Sequence, residues 1–145
     1  MFYKLDLIDN LQLKHIALIK KSDINYKLYK MNILFVCTFN KIRSLTAQQI
    51  FQDDNRFNVK SAGVYPASTV QINHDILEWA DYIIVMEKAH RNKIRKNFPG
   101  IYEKKRIVCL YIPDEYDYME PVLIELLKRK FEFIWKTEIE PDLNK

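Results

Sequence analysis

The stretch Asn32-Ile-Leu-Phe-Val-Cys37-Thr-Phe-Asn-Lys-Ile-Arg43-Ser44 decides how the rest of this chain is read. Its opening part, Asn32–Cys37 (NILFVC), is a nearly continuous apolar run, the pattern of a strand buried on both faces. The next segment, Ser44–Gln52 (SLTAQQIFQ), reads as a helix with Ala47, Ile50 and Phe51 on one side and Ser44 as its N-cap. Between strand and helix lies a loop of the form C-x-x-x-x-x-R-S. A thiol at the strand end faces oriented N–H groups and the positive end of a helix dipole. Successive loop N–H groups can also curl into an anion-binding nest. Such surroundings favour an anion, including the thiolate, the form in which cysteine attacks. Arg43 adds a planar fork that matches two oxygens of a phosphoryl group, which a lysine cannot reproduce. The hydroxyl of Ser44 can donate to the sulfur. The loop contains no glycine, and Asn40 is the residue in it suited to a positive φ. The spacing alone also fits a buried structural cysteine with Arg43 on the surface; its position between a buried strand and a helix favours the anion-binding reading.

Outward from this loop the pattern alternates. Phe57–Ser61 is a second strand ending at Ala62-Gly63, and Ile72–Trp79 a short helix. Tyr82–Met86 (YIIVM) is a third buried strand, and Lys88–Asn97 a helix stopped by Pro99-Gly100. Arg106–Tyr111 (RIVCLY) is the fourth strand. A polar, aromatic loop around Asp114–Tyr118 then leads into a last helix from Pro121 to about Lys136, with Leu123, Leu126, Leu127 and Phe131 at core-facing spacings. Four apolar strands alternating with helices predict an α/β fold of three layers, a four-stranded parallel sheet with helices on both faces. Ligands of such sheets bind beyond the carboxyl ends of the strands. Cys37, Ser61, Met86 and Asp114 all fall at or just past those ends.

Composition limits the alternatives. The chain has 145 residues, 48% of them hydrophobic, enough for one compact core. Net charge is +4, with +3 of it in residues 1–30 and +1 in the remainder, so a globally basic nucleic-acid binder is not expected. Arg91, Lys93, Arg95 and Lys96 read as the solvated face of a helix. No apolar stretch is long enough to cross a bilayer, and the charged N-terminus lacks the core of a secretory signal. Two cysteines, Cys37 and Cys109, are too few for a disulfide framework, so a cytoplasmic, reducing setting is expected. His15, His74 and His90 have no metal-site spacing, and neither a metal nor a cofactor is expected. Residues 1–30, in which Leu5, Ile8, Leu11, Ile16 and Ile19 only imperfectly line a face, read as an N-terminal extension. Met31, which could itself be a translation start, opens the domain of residues 31–145.

The Cys37–Ser44 loop, Ser61-Ala62-Gly63, Tyr82–Glu87 (YIIVME) and Ile112-x-Asp114-x-Tyr116 together resemble the low-molecular-weight protein tyrosine phosphatases, over essentially all of residues 31–145. The short chain with IPDEY before the last helix is similar to a bacterial subgroup of predicted tyrosine phosphatases. The resemblance implies a phosphatase I-like fold and a cysteine-dependent hydrolysis of phosphomonoesters through a phosphocysteine. Cys37 would attack phosphorus, and Arg43 with the loop residues Thr38, Phe39, Asn40, Lys41, Ile42 and Ser44 would hold the phosphoryl oxygens. An acid in the late loop would protonate the leaving oxygen and then activate water. By position that acid is Asp114, with Asp117 as its rival and Glu115 a weaker one. The resemblance also makes Asn40, Ser44 and Ser61 a brace beneath the loop. The family's supporting histidine has no match near residue 67; His74 is close but falls on a helix, where a surface role is expected. Phe39 stands where the family has a small residue. Tyr65, Tyr116 and Tyr118 either rim the cleft for a phosphotyrosine ring or pack against the loop. Partners would be a phosphorylated protein or a small phosphomonoester, with no nucleic acid or membrane.

Two other functions fit the same loop. A non-catalytic module that binds a phosphorylated ligand would keep Arg43 and the nest but would not depend on Asp114. Arsenate reduction by thiols needs further cysteines in a mobile segment, whereas Cys109 lies in an apolar strand and reads as an inert core residue.

Overall fold

The computed structural model describes residues 30–145. The N-terminal extension read from residues 1–30 therefore lies, but for Lys30, outside the described residues. Within them the order is β1 (Met31–Cys37), α1 (Arg43–Phe51), β2 (Phe57–Gly63), α2 (His74–Trp79), β3 (Tyr82–Val85), α3 (Lys88–Asn97), α4 (Pro99–Lys104), β4 (Arg106–Cys109) and α5 (Pro121–Ile134). A π-helical turn, Trp135–Ile139, then leads into α6 (Glu140–Leu143).

All four strands are parallel and lie in the order β2-β1-β3-β4. The apolar run of β1 suits a central position, where both faces are covered: Ile33, Leu34, Phe35 and Val36 are each fully buried. Alternation along it feeds two cores. Ile33, Phe35 and Cys37 point to one face with Ala47 and Phe51 of α1 and Leu123, Leu127 and Phe131 of α5. Leu34 and Val36 point to the other, with Leu77 of α2, Ile94 of α3 and Ile101 of α4. The first core is strongly aromatic: Phe51 and Phe131 lie 4.9 Å apart by ring centroid, and Phe57 and Phe131 5.1 Å. The three-layer sheet with helices on both faces is thus present.

Several boundaries differ from the sequence expectation, each for a local reason. The helix after β1 starts at Arg43, and its N-cap is Ile42 with no side-chain bond; Ser44 lies inside the first turn and its hydroxyl is engaged elsewhere. β2 runs through Ala62 to Gly63, because Cys37 pairs with Gly63. α2 starts later than expected, at His74, where Asn73 caps it by accepting from the N–H of Ile76 at 2.9 Å. Pro99 does not simply end a helix. It occupies the first turn of α4, where its missing N–H costs nothing. At the C-terminus the π-helical turn interrupts the last helix at Trp135, and the chain remains helical past the expected end at about Lys136.

The order β2-β1-β3-β4 means that the chain leaves β1 for one neighbour and returns on its other side. The loops after β1 and β3 therefore diverge and leave a crevice at the carboxyl edge. Among the described residues no helix is long and apolar enough to cross a membrane.

Candidate active site

The loop between β1 and α1 takes its shape from the segment after β2. The carbonyl of Thr38 accepts from the N–H groups of Val64 (3.0 Å) and Tyr65 (3.3 Å), and that of Phe39 accepts from Thr69 (3.1 Å). Val64 N–H also reaches the carbonyl of Cys37 at 3.1 Å. With these carbonyls held outward, the peptide planes turn their N–H groups to the opposite side. The N–H groups of residues 39–43 meet no protein acceptor among the described residues, so the loop presents a row of free donors, an anion nest. Asn40 supplies the reversal with φ of 55°, the positive value that the glycine-free loop requires.

The approach of β2 is close enough to exclude a side chain at Gly63. A Cβ there would fall 2.8 Å from the backbone of both Phe39 and Asn40, and closer still to Ser68 Oγ. Since backbone atoms cannot rotate away, Gly63→Ala is expected to push the loop off its seat. The expected cost is about 1–3 kcal/mol in a denaturant melt, with weaker binding of inorganic phosphate in titration calorimetry; unchanged values for both would mean that the loop tolerates displacement.

Beneath the loop the sulfur of Cys37, 3% exposed, lies 2.9 Å from Ser44 Oγ. Ser44 Oγ accepts from Asn40 Nδ2 at 2.8 Å and also lies 3.3 Å from the carbonyl of Ala62. The hydroxyl has one hydrogen and two acceptors to choose from. A thiolate can only accept, so with Cys37 ionised that hydrogen goes to sulfur. The cost is visible in Asn40: its amide must donate to Ser44, which leaves the buried Oδ1 without a partner.

Arg43 is fully buried, and its guanidinium is fixed from three directions. Nη1 donates to Glu87 Oε2 at 2.6 Å and to the carbonyl of Ile112 at 2.9 Å; Nη2 donates to Thr38 Oγ1 at 3.1 Å. Of five N–H groups, the Nε hydrogen and one on Nη2 remain, the adjacent pair that forms a bidentate fork. Asp114, largely exposed, stands on that same edge, its Oδ1 3.8 Å from Nε and thus outside hydrogen-bond range. His90, at the third position of α3, is buried beside this group. Its Nδ1 accepts from the N–H of Glu87 at 3.0 Å, and its Nε2 lies 2.9 Å from Thr38 Oγ1. Burial, and then the positive charge of Arg43, push the imidazole down to about 4, so it is neutral at ordinary pH.

These groups enclose a cleft of about 130 Å³ lined by Cys37, Thr38, Phe39, Lys41, Ile42, Arg43 and Asp114. Phe39 forms one wall, its ring 5.5 Å from that of Tyr65, with Lys41 over Phe39 and Lys93 over Tyr65. Two expected site residues lie elsewhere. Ser61 is buried at the end of β2 but bonds Gln48 of α1, not the loop. Tyr116 packs against the aromatic core and does not line the cleft. Asp117 is exposed and likewise does not line it. His74 is exposed at the start of α2. Cys109 is half-buried in β4, its thiol raised by burial. Glu87 and His90 do not line the cleft but hold Arg43 and Thr38, which do; their part is not foreseen from the sequence, where a Glu-x-x-His pair after a buried strand is the available signal.

A buried arginine fork and a row of free N–H groups thus stand around a cysteine at the carboxyl edge of a four-stranded parallel sheet. The fold is that of the low-molecular-weight protein tyrosine phosphatases. The chain is similar to the arginine phosphatase YwlE from Geobacillus stearothermophilus, with 24% identity over 76% of this chain and 96% of that one, at a TM-score of 0.57. It is also similar to SP-PTP, a low molecular weight protein tyrosine phosphatase from Streptococcus pyogenes (15% identity, 74% and 93% coverage, TM-score 0.61). A third is Wzb from Vibrio vulnificus, solved in complex with benzylphosphonate (21% identity, 74% and 98% coverage, TM-score 0.59). No protein-family model and no curated protein matches the chain.

Proposed function

We propose that the chain is a cysteine-dependent phosphatase that hydrolyses phosphomonoesters, protein phosphotyrosine among them, through a phosphocysteine. The observation that carries this reading is the convergence of Cys37, the free N–H groups, the open edge of Arg43 and Asp114 on one cleft of about 130 Å³. In the first step the Cys37 thiolate attacks phosphorus as the P–O bond to the leaving group breaks. Arg43 and the loop N–H groups hold the three equatorial oxygens, and Asp114 gives its proton to the leaving oxygen. In the second step the Asp114 carboxylate takes a proton from water as the water attacks phosphorus. The P–S bond breaks, and the hydrogen of Ser44 stabilises the departing thiolate.

The preference for tyrosine rests on the aromatic wall of Phe39 and Tyr65 beside the cleft, and on the tyrosine-phosphatase names among the structural neighbours. A free nucleophilic thiol suits the reducing cytoplasm. Arsenate reduction is the weaker reading, since Cys109 lines a different groove from Cys37.

Turnover of p-nitrophenyl phosphate tests the proposal. Asp114→Asn is expected to lower kcat by roughly 10²–10⁴-fold, while inorganic phosphate still protects Cys37 from alkylation. Asp117→Asn should leave kcat nearly unchanged; a larger loss there than in Asp114→Asn would reassign the acid. A wild-type chain that binds phosphate but never turns over would favour the non-catalytic module instead.

A further inference from the structure

We infer that His90 acts through Thr38 as a positioning residue, making the Thr38 hydroxyl an obligate hydrogen-bond donor into the Cys37–Arg43 cleft. The inference rests on the reading of that cleft as a phosphoryl site. Its basis is a count of hydrogens. The backbone N–H of Glu87 can only donate, and it points at His90 Nδ1 at 3.0 Å, so Nδ1 carries no hydrogen. In a neutral imidazole the single proton is then on Nε2. Nε2–H faces Thr38 Oγ1 at 2.9 Å and donates to it. Arg43 Nη2 has nothing but donors, and it donates to the same oxygen at 3.1 Å. Both lone pairs of Thr38 Oγ1 are thereby taken.

The hydroxyl hydrogen must go elsewhere, and it has no acceptor among the described residues. Thr38 lines the cleft together with Cys37, Arg43 and Asp114, so an anion there is the acceptor that completes the network. Burial favours this arrangement. His90 is 2% exposed, and its neutral form is held by a low-dielectric setting beside Arg43. Protonation would add a hydrogen at Nδ1, directly opposed to the Glu87 N–H. The result is one side-chain donor to phosphoryl oxygens beside the loop N–H groups and Arg43, fixed by a residue that never touches the ligand.

Inorganic phosphate binding to the full chain tests this, by titration calorimetry of wild type, Thr38→Val, Thr38→Ser, His90→Phe and the double variant Thr38→Val/His90→Phe. Thr38→Val is expected to weaken phosphate roughly tenfold, the usual loss of a hydrogen bond to a charged group, and Thr38→Ser to restore most of it. His90→Phe should weaken phosphate alone but add nothing once Thr38 is valine. Additive losses in the double variant, or full affinity in Thr38→Val, would overturn the inference. The unaltered protein gives a second readout that does not depend on any variant folding. Nitrogen-15 spectra of the imidazole should show His90 protonated at Nε2 and bare at Nδ1, and the opposite tautomer would also overturn it. Neither measurement requires turnover. A chain that binds phosphate through Thr38 without hydrolysing an ester would reject the phosphatase and keep this inference; a chain that hydrolyses esters with Thr38→Val at full phosphate affinity would do the reverse.

Discussion

Cys37→Ser is expected to lower p-nitrophenyl phosphate turnover by roughly 10⁴-fold or more, the scale seen when a covalent nucleophile is removed. A serine hydroxyl is far less acidic than a thiol, and its hydrogen-bond partner at this position, Ser44 Oγ, is itself only a hydroxyl and cannot take its proton. The variant should fold normally, since the side chain is nearly isosteric and only 3% exposed. Phosphate should bind about as well as to wild type, because the N–H groups of residues 39–43 and the open edge of Arg43 are unchanged. Steady-state kinetics and phosphate titration on one preparation separate the two effects. Unaltered turnover would rule out the thiolate mechanism.

Arg43→Lys is the second large effect, and it should reach both activity and stability. Lysine keeps the charge but replaces a planar five-donor group by a point. Nothing at that point can serve Glu87, the carbonyl of Ile112, Thr38 and a ligand together, although all are engaged by, or open to, the guanidinium. A loss of roughly 10²–10³-fold in kcat/KM is expected, the usual cost of removing a transition-state donor. Stability should fall by about 1–3 kcal/mol, from the unpaired buried carbonyl. The partial exposure of Glu87 limits the penalty for a carboxylate left without its partner. Kinetics paired with a urea melt would show both. A variant that loses affinity alone, at full kcat and full stability, would mean that Arg43 is only a docking charge.

Much of this architecture is written in local patterns. The strands are runs of aliphatic residues with nowhere to go but a doubly covered sheet, and β1 differs from its expected span only by its first residue, Met31. The need for one residue at positive φ in a loop without glycine singles out Asn40, and its φ is 55°. Expectation fails where a residue's role depends on chain far away. Ser44 has the chemistry of a cap, but a cysteine at the end of β1 claims its hydroxyl first. Glu87 and His90 look from sequence like ordinary polar residues at a helix start. Only the pairing of β3 with β1 carries them beneath Arg43, 44 positions away from Glu87 in the chain. Ser61 matches a motif but is claimed by Gln48, and Tyr116 sits close enough to the core to be drawn into it. Pro99 reads as a stop because a proline that ends one helix and one that begins another are locally alike.

The fixing of Arg43 has a thermodynamic consequence for the molecule as a whole. Its partners come from the end of β1, from the turn after β3 and from the carbonyl of Ile112 beyond the short edge strand β4. The fork that would hold an anion is thus a rivet through three separate chain crossings. A ligand that needs the fork intact must favour every state in which those crossings stay closed, and must disfavour fraying of the edge strand by the same free energy. Occupancy of the cleft and integrity of the sheet edge are two faces of a single equilibrium.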